Sequence, residues 1–160
     1  IAAQQVLSRE WTEPSTLLYP RIGGDVARIQ RAGGVTAMGS HGEVQGVGFH
    51  WGLEAHVQGG MTPLEALRAG TLGGARAIGR GAEFGSIEPG KFADLVVLDA
   101  DPRHDIPNSR DIALAMKNAR LYDANTLDEL WPRARPLEAP WFAGEGPPKN
   151  HPGGGQHMSR

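Results

Sequence analysis

Residues 84–99 read FGSIEPGKFADLVVLD, in which two apolar segments, 84–87 and 92–98, flank the tetrapeptide Glu88-Pro89-Gly90-Lys91. Proline followed by glycine is typical of the centre of a type II turn, because proline fixes a negative φ and glycine accepts a positive one. The stretch therefore predicts two strands joined by a tight turn. Downstream, Ile112, Leu114 and Met116 alternate with smaller residues and predict a further strand. Asn118-Ala119 is then predicted to form a turn that leads the chain into residues 120–122.

A strong local signal for a helix lies upstream, at Thr62-Pro63-Leu64-Glu65. Thr62 is a typical N-cap, Pro63 suits the first helical position, and Glu65 completes a capping box. Gly70, Gly73 and Gly74 lie inside the predicted helix, where each glycine costs about 1 kcal/mol relative to alanine. We therefore expect small residues to be needed where this helix packs closely on its neighbours.

The preceding segments alternate between helix and strand. Residues 25–32 and about 49–58 are predicted helices, and the apolar run 35–38 is predicted to be a buried parallel strand. A glycine-rich loop, residues 39–48, connects that strand to the second helix. This alternation predicts an α/β fold.

Composition excludes several classes of function. The 160 residues suggest about one domain. The 16 basic and 18 acidic residues nearly balance, so the chain has no excess of positive charge that would indicate binding to nucleic acid or to a membrane surface. The chain has no cysteine, which excludes disulfides, thiolate metal sites and a cysteine nucleophile. No apolar run approaches the roughly 18 residues of a membrane span. The chain begins at Ile1 without a signal segment, so we expect the true N-terminus to lie upstream.

His41 and Glu43 are the candidate catalytic residues. They lie in the glycine-rich loop after the predicted strand, and the carboxyl ends of parallel strands carry catalytic side chains in α/β barrels. A histidine and a carboxylate there could bind a metal or move a proton. The alternative is that His41 only satisfies a loop carbonyl. His50 and Glu54, at i and i+4 on the next helix, are more typical of a surface pair than of metal ligands.

Two stretches resemble the metal-dependent amidohydrolases. Residues 61–79, MTPLEALRAGTLGGARAIG, resemble their last barrel helix, and residues 85–98 match the pattern G-x-I-x-P-G-K-x-A-D-L-V-V-L of their small β-sandwich. The resemblance covers roughly residues 30–132. It implies the C-terminal segment of a (β/α)8 barrel in residues 1–82 and strands of an accessory β-sandwich in residues 83–132. Residues 133–160 are predicted to be a disordered tail, because proline and glycine accumulate from Pro136 onward.

The resemblance also implies metal-assisted hydrolysis of an amide, cyclic amide or related C–N bond, with a divalent metal, zinc, as cofactor. Most of the superfamily has a metal-binding Asp after the strand that corresponds to residues 35–38, whereas this chain has His41. His41 would then serve as metal ligand or proton acceptor, with Glu43 assisting. The other ligands, including His-x-His, would lie upstream.

Two alternatives to this enzyme are open. One is a non-catalytic amidohydrolase-like binding or scaffolding module, favoured by the altered residue at position 41. Another is a free-standing binding domain, which is physically awkward because one or two barrel strands leave open sheet edges.

The implied partners are a small-molecule or peptide-like substrate and the upstream part of the same chain, with a homo-oligomer left open. Residues 39–43, GSHGE, and residues 126–132, TLDELWP, resemble a subgroup of amidohydrolases that often follow a β-propeller domain, which would suit an exported or periplasmic protein.

Overall fold

The computed structural model describes residues 18–39, 44 and 46–138. Helices come first along the chain and a sheet follows. The elements are α1 (Leu18–Arg31), α2 (Val47–Gln58), α3 (Pro63–Arg68), a π-helical turn (Ala69–Gly73), α4 (Gly74–Ala77), β1 (Leu95–Leu98), a 3₁₀ helix (Ile106–Arg110), β2 (Ile112–Lys117), β3 (Arg120–Asp123) and β4 (Glu129–Trp131). No described helix has the length and apolar character that a membrane span requires.

A small apolar core holds the helices together. Its buried residues come from four elements and one connection: Ala27, Leu53, Met61, Ala66 and Ile106. The helices α1 and α2 approach so closely that a Cβ on Gly59 would overlap the backbone of Gly23. Because buried Ile106 begins the 3₁₀ helix that leads into β2, this core also joins the helices to the sheet.

The predicted capping box is confirmed. The hydroxyl of Thr62 accepts from the backbone N–H of Glu65 at 3.2 Å, and the Glu65 carboxylate accepts from the N–H of Thr62 at 2.7 Å. The same carboxylate also accepts two hydrogen bonds from the guanidinium of Arg31, at 2.7 and 2.8 Å. Arg31 first, and then the N–H of Thr62, lower the pKa of Glu65 to about 2. One side chain therefore caps α3 and attaches it to the end of α1.

The predicted helix over the glycines is interrupted by the π-helical turn Ala69–Gly73. A Cβ on Gly73 would overlap the carbonyl oxygen of Thr36, and a Cβ on Gly70 would crowd the ring of Phe49. The expected need for small residues is therefore confirmed at these two positions. At Gly74 the nearest atom would lie 3.8 Å from a Cβ, which is ordinary contact.

The four strands form one antiparallel sheet in the order β1-β2-β3-β4. The predicted turn between β2 and β3 is confirmed, and Asn118 and Ala119 have φ of 48° and 61°, as a type I′ hairpin requires. Asp94 holds this turn, because its carboxylate accepts from the ammonium group of Lys117 and from the N–H of Asn118. These two bonds, in that order, lower the pKa of Asp94.

The prediction for residues 84–99 is partly wrong. The turn is present, with the N–H of Lys91 donating to the Glu88 carbonyl at 3.2 Å and Gly90 at φ 90°. Residues 84–87 form no strand, however, because Gly85 has φ 96° and the segment wraps around the ammonium group of Lys91. The second strand is shorter than predicted, Leu95–Leu98 instead of 92–98, and its two central valines are exposed.

The predicted parallel strand at residues 35–38 is also wrong. These residues have no strand assignment, and Val35 is 59% exposed. A strand exists only where a neighbour accepts its backbone hydrogen bonds, and no strand of the described part pairs with residues 35–38. The sheet that is seen is antiparallel, so the described part does not contain the parallel β/α arrangement expected of a barrel segment.

The segment predicted to be a disordered tail lies partly within the described residues. The backbones of Glu129 and Arg135 exchange hydrogen bonds of 2.9 and 2.8 Å, and the N–H of Leu137 donates to the Asp128 carboxylate at 2.7 Å. Residues 133–138 therefore contact the sheet edge at β4. The rest of the predicted tail, residues 139–160, lies outside the described residues.

Thr62→Ala should lower the free energy of unfolding of the intact protein by about 1 kcal/mol, because the first turn of α3 loses its side-chain cap. Thr62→Ser keeps the hydroxyl and should cost much less. Denaturant unfolding measures both, and turnover per folded molecule should hardly change in either variant. A collapse of turnover at unchanged stability would contradict the structural role given to Thr62.

Candidate functional site

The loop that carries the candidate catalytic residues is anchored at both ends. On one side, the N–H of Met38 donates to the carbonyl of Ala69 at 3.3 Å, and the Met38 side chain packs against the core. On the other side, α2 begins at Val47 and places buried Leu53 in the same core. His41 and Glu43 themselves lie outside the described residues. Both stay predictions, and what the structure describes is the pair of anchors that flank them.

His50 contacts a residue that sequence reasoning missed. Its Nδ1 lies 2.9 Å from the hydroxyl oxygen of Ser109, in the 3₁₀ helix, and Ser109 is buried. Burial first, and then the positive charge of Arg110, lower the pKa of His50 below its ordinary value of 6.5. The two residues are 59 positions apart, and no pattern in the sequence indicates their contact.

Glu54, the other member of the predicted i, i+4 pair, forms an ion pair with Arg110. His50 and Glu54 therefore share a helix face, as predicted, but each binds a different residue of the 3₁₀ helix. A Ser–His pair with a carboxylate behind the histidine would resemble a hydrolytic triad. Here the nearby carboxylate is held by Arg110, and Ser109 is only 5% exposed, so a substrate cannot reach its hydroxyl. This cluster joins α2 to the 3₁₀ helix and is not a catalytic site.

The residues that the structure describes do not supply a metal site. No group of three or more His, Asp or Glu residues within them could hold a metal ion. The Nδ1–H of His56 donates to the carbonyl of Gly52, in its own helix, at 2.7 Å. Several carboxylates are used in turns, since Asp94 binds the β2–β3 hairpin and Asp123 accepts from the N–H groups of Asn125 and Thr126. A metal site built by this chain would therefore need ligands from outside the described residues.

His50→Ala should lower the free energy of unfolding of the intact protein by about 1–2 kcal/mol, because the buried Ser109 hydroxyl loses its partner. The lowered pKa of His50 means that the unfolded chain binds a proton before the folded protein does as pH falls. Stability therefore decreases below about pH 6.5, and this decrease should be smaller in the variant.

Denaturant unfolding between pH 5 and 8 measures both effects, with His104→Ala as the control because His104 is exposed. Equal losses in the two variants would show that the contact with Ser109 contributes nothing.

Two curated relatives share short segments with this chain. The imidazolonepropionase of Geobacillus sp. (strain WCH70) is 63% identical over 43 residues, which are 27% of this chain and 10% of the relative. The 5-methylthioadenosine/S-adenosylhomocysteine deaminase of Thermoanaerobacter pseudethanolicus (strain ATCC 33223 / 39E) is 41% identical over 64 residues, which are 40% of this chain and 15% of the relative. The chain thus spans only a small part of the length of these relatives.

A solved structure has a similar arrangement. The crystal structure of a Xaa-Pro dipeptidase with methionine bound in its active site superposes with a TM-score of 0.57 and 27% sequence identity, covering 66% of this chain and 26% of that chain. The family model of the amidohydrolases matches residues 25–134, which is well over half of the chain. Together with the segments shared with the two relatives and the superposition on the dipeptidase structure, this match shows that the chain belongs to the amidohydrolase family.

Proposed function

We propose that this chain is the C-terminal portion of a metal-dependent hydrolase that acts on an amide, a cyclic amide or a related C–N bond. The observation that carries the proposal is the family match over residues 25–134. The names of the relatives support it, since an imidazolonepropionase, a deaminase and a dipeptidase all act on C–N bonds of small or peptide-like molecules. The substrate of this protein would accordingly be a small molecule or a short peptide-like compound.

In this proposal, residues 1–82 belong to the barrel and residues 83–132 supply strands of the accessory β-sandwich. The change from helices, which end at Ala77, to the sheet, which begins at Leu95, supports a boundary between these positions.

His41 is the proposed catalytic residue, with Glu43 assisting it. The contacts of Met38 and of α2 with the core support this choice, because the two described segments that flank the short glycine-rich loop are both held there. A neutral imidazole, with an ordinary pKa near 6.5, can accept a proton from an attacking water molecule. A divalent metal, zinc in this proposal, would have His41 as one ligand. Its other ligands would lie outside the described residues, which contain no cluster that could hold a metal ion.

His41→Ala in the intact enzyme should lower kcat by about 100-fold or more if His41 is the proton acceptor, and metal content should fall as well if it is a ligand. His104→Ala is the matched control, because it removes an exposed imidazole that makes no side-chain hydrogen bond within the described part. Steady-state kinetics and metal analysis of both variants provide the measurements. Full metal content together with unchanged turnover in His41→Ala would reject the assignment and favour a binding or scaffolding module.

A second proposal is that this chain is inactive by itself. Large apolar side chains are exposed at several positions, with Ile78 at 67%, Ile87 at 86% and Val96 at 60%. Apolar surface of this extent is typical of a surface that packs against other parts of a protein.

The isolated chain should therefore aggregate or unfold in a broad, weakly cooperative thermal transition, without hydrolase activity. Calorimetry and size-exclusion chromatography test this expectation. A sharp two-state transition of a monomer would overturn it.

A further inference from the structure

A cleft of about 270 Å³ lies between the loop after α1 and the π-helical turn. Its walls include residues 33–36 on one side and Arg68, Leu72 and Arg76 on the other, and no acidic residue of the described part lines it. The residues that line the cleft do not include those of the cluster around Ser109. Nothing in the proposed hydrolase chemistry uses these two arginines.

The π-helical turn brings the two arginines to the same side of the helix. In a regular α-helix, eight residues overshoot two turns by about 80°, because each turn takes 3.6 residues. A π turn, with i→i+5 hydrogen bonds, holds about one residue more than an α turn, so that Arg68 and Arg76 come to lie two full turns apart. This is why both line the same cleft, with Leu72 between them. Insertions of this kind occur frequently at functional sites.

The opposite wall of the cleft is held in place. Thr36 donates its hydroxyl to the Gln30 side chain, and the Gln30 amide nitrogen donates to the carbonyl of Glu65 at 3.2 Å. The carbonyl of Thr36 lies so close to Gly73 that any larger residue there would displace it. The two walls therefore contact each other through backbone and part-buried polar groups, so the cleft is formed before any ligand enters.

Positive charge in the cleft is not neutralised by the residues that the structure describes. Other arginines pair with carboxylates, as Arg31 does with Glu65. Within the described part, neither Arg68 nor Arg76 has a carboxylate within ion-pair distance. The charge of Arg76 acts on the Glu88 carboxyl, but among the groups that lower the pKa of Glu88 it contributes least. A guanidinium presents paired N–H donors that match the oxygens of phosphate and carboxylate.

We propose that this cleft binds a small oxyanion, a phosphate or carboxylate group, between Arg68 and Arg76. Both side chains are exposed, so the affinity is modest and falls as ionic strength rises. The proposal does not rest on the hydrolase activity proposed above, because its evidence is the lining of the cleft. Its test therefore measures binding and not turnover.

Calorimetric titration of the intact protein with inorganic phosphate, at low ionic strength, should detect binding that Arg68→Gln and Arg76→Gln each weaken about tenfold or more. Arg21→Gln is the control, because it makes the same change of charge on α1 about 14 Å along the helix from Gln30. A parallel titration with succinate, which carries carboxylate groups, shows whether the cleft binds phosphate, carboxylate or both. Binding of phosphate alone, or of succinate alone, identifies the ligand class, and the absence of both overturns the proposal.

A second variant tests position at constant charge. Arg76→Gln combined with Ala77→Arg moves the guanidinium about 100° around the helix while net charge is unchanged. This double variant should bind as weakly as Arg76→Gln. Binding as strong as in the unaltered protein would show that only general positive charge matters, and equal binding in Arg21→Gln and Arg68→Gln would do the same. Either result overturns the site, and thermal unfolding without ligand confirms that the variants are folded.

Discussion

The carboxylate of Glu65 is the contact on which the helical half depends. It caps the first turn of α3, accepts two hydrogen bonds from Arg31 at the end of α1, and belongs to a residue whose carbonyl also accepts from Gln30. These bonds set the distance between α1 and α3. Residues 33–38 follow α1 directly, so the same contact positions the segment that leads into the loop of His41.

The sheet depends on the helices through one short connection. Ile106 is buried with Leu53 and Ala27, while Ser109 and Arg110 bind His50 and Glu54 on α2. The 3₁₀ helix that carries these residues therefore joins the two halves. The strands on either side of it in the chain expose Val96, Val97 and Trp131, so the sheet buries little apolar surface of its own within the described part. Membership of the amidohydrolase family implies a TIM-barrel-type α/β fold, and the described part shows helices followed by a four-stranded antiparallel sheet.

Local patterns predicted the structure correctly where the interactions are local. The capping box spans four residues, the type II turn at Pro89-Gly90 spans four, and the β2–β3 hairpin turns on Asn118-Ala119. In each case the side chains that stabilise the backbone lie within a few positions of it. The predictions of strands at 35–38 and 84–87 were wrong, because a strand forms only where a neighbouring strand pairs with its backbone. Residues 35–38 have no neighbouring strand in the described part, and residues 84–87 bend around Lys91.

The amino-acid sequence by itself determined the family, the capped helix α3, the hairpin, and the choice of His41 and Glu43 as candidates, which the described residues do not include. Only the tertiary structure decided that His50 binds Ser109 and that Glu54 binds Arg110. It also decided that a π-helical turn places Arg68 and Arg76 in one cleft. The physical reason is separation along the chain: periodicity reports which face of an element is apolar, but which distant residue meets that face depends on how the elements pack.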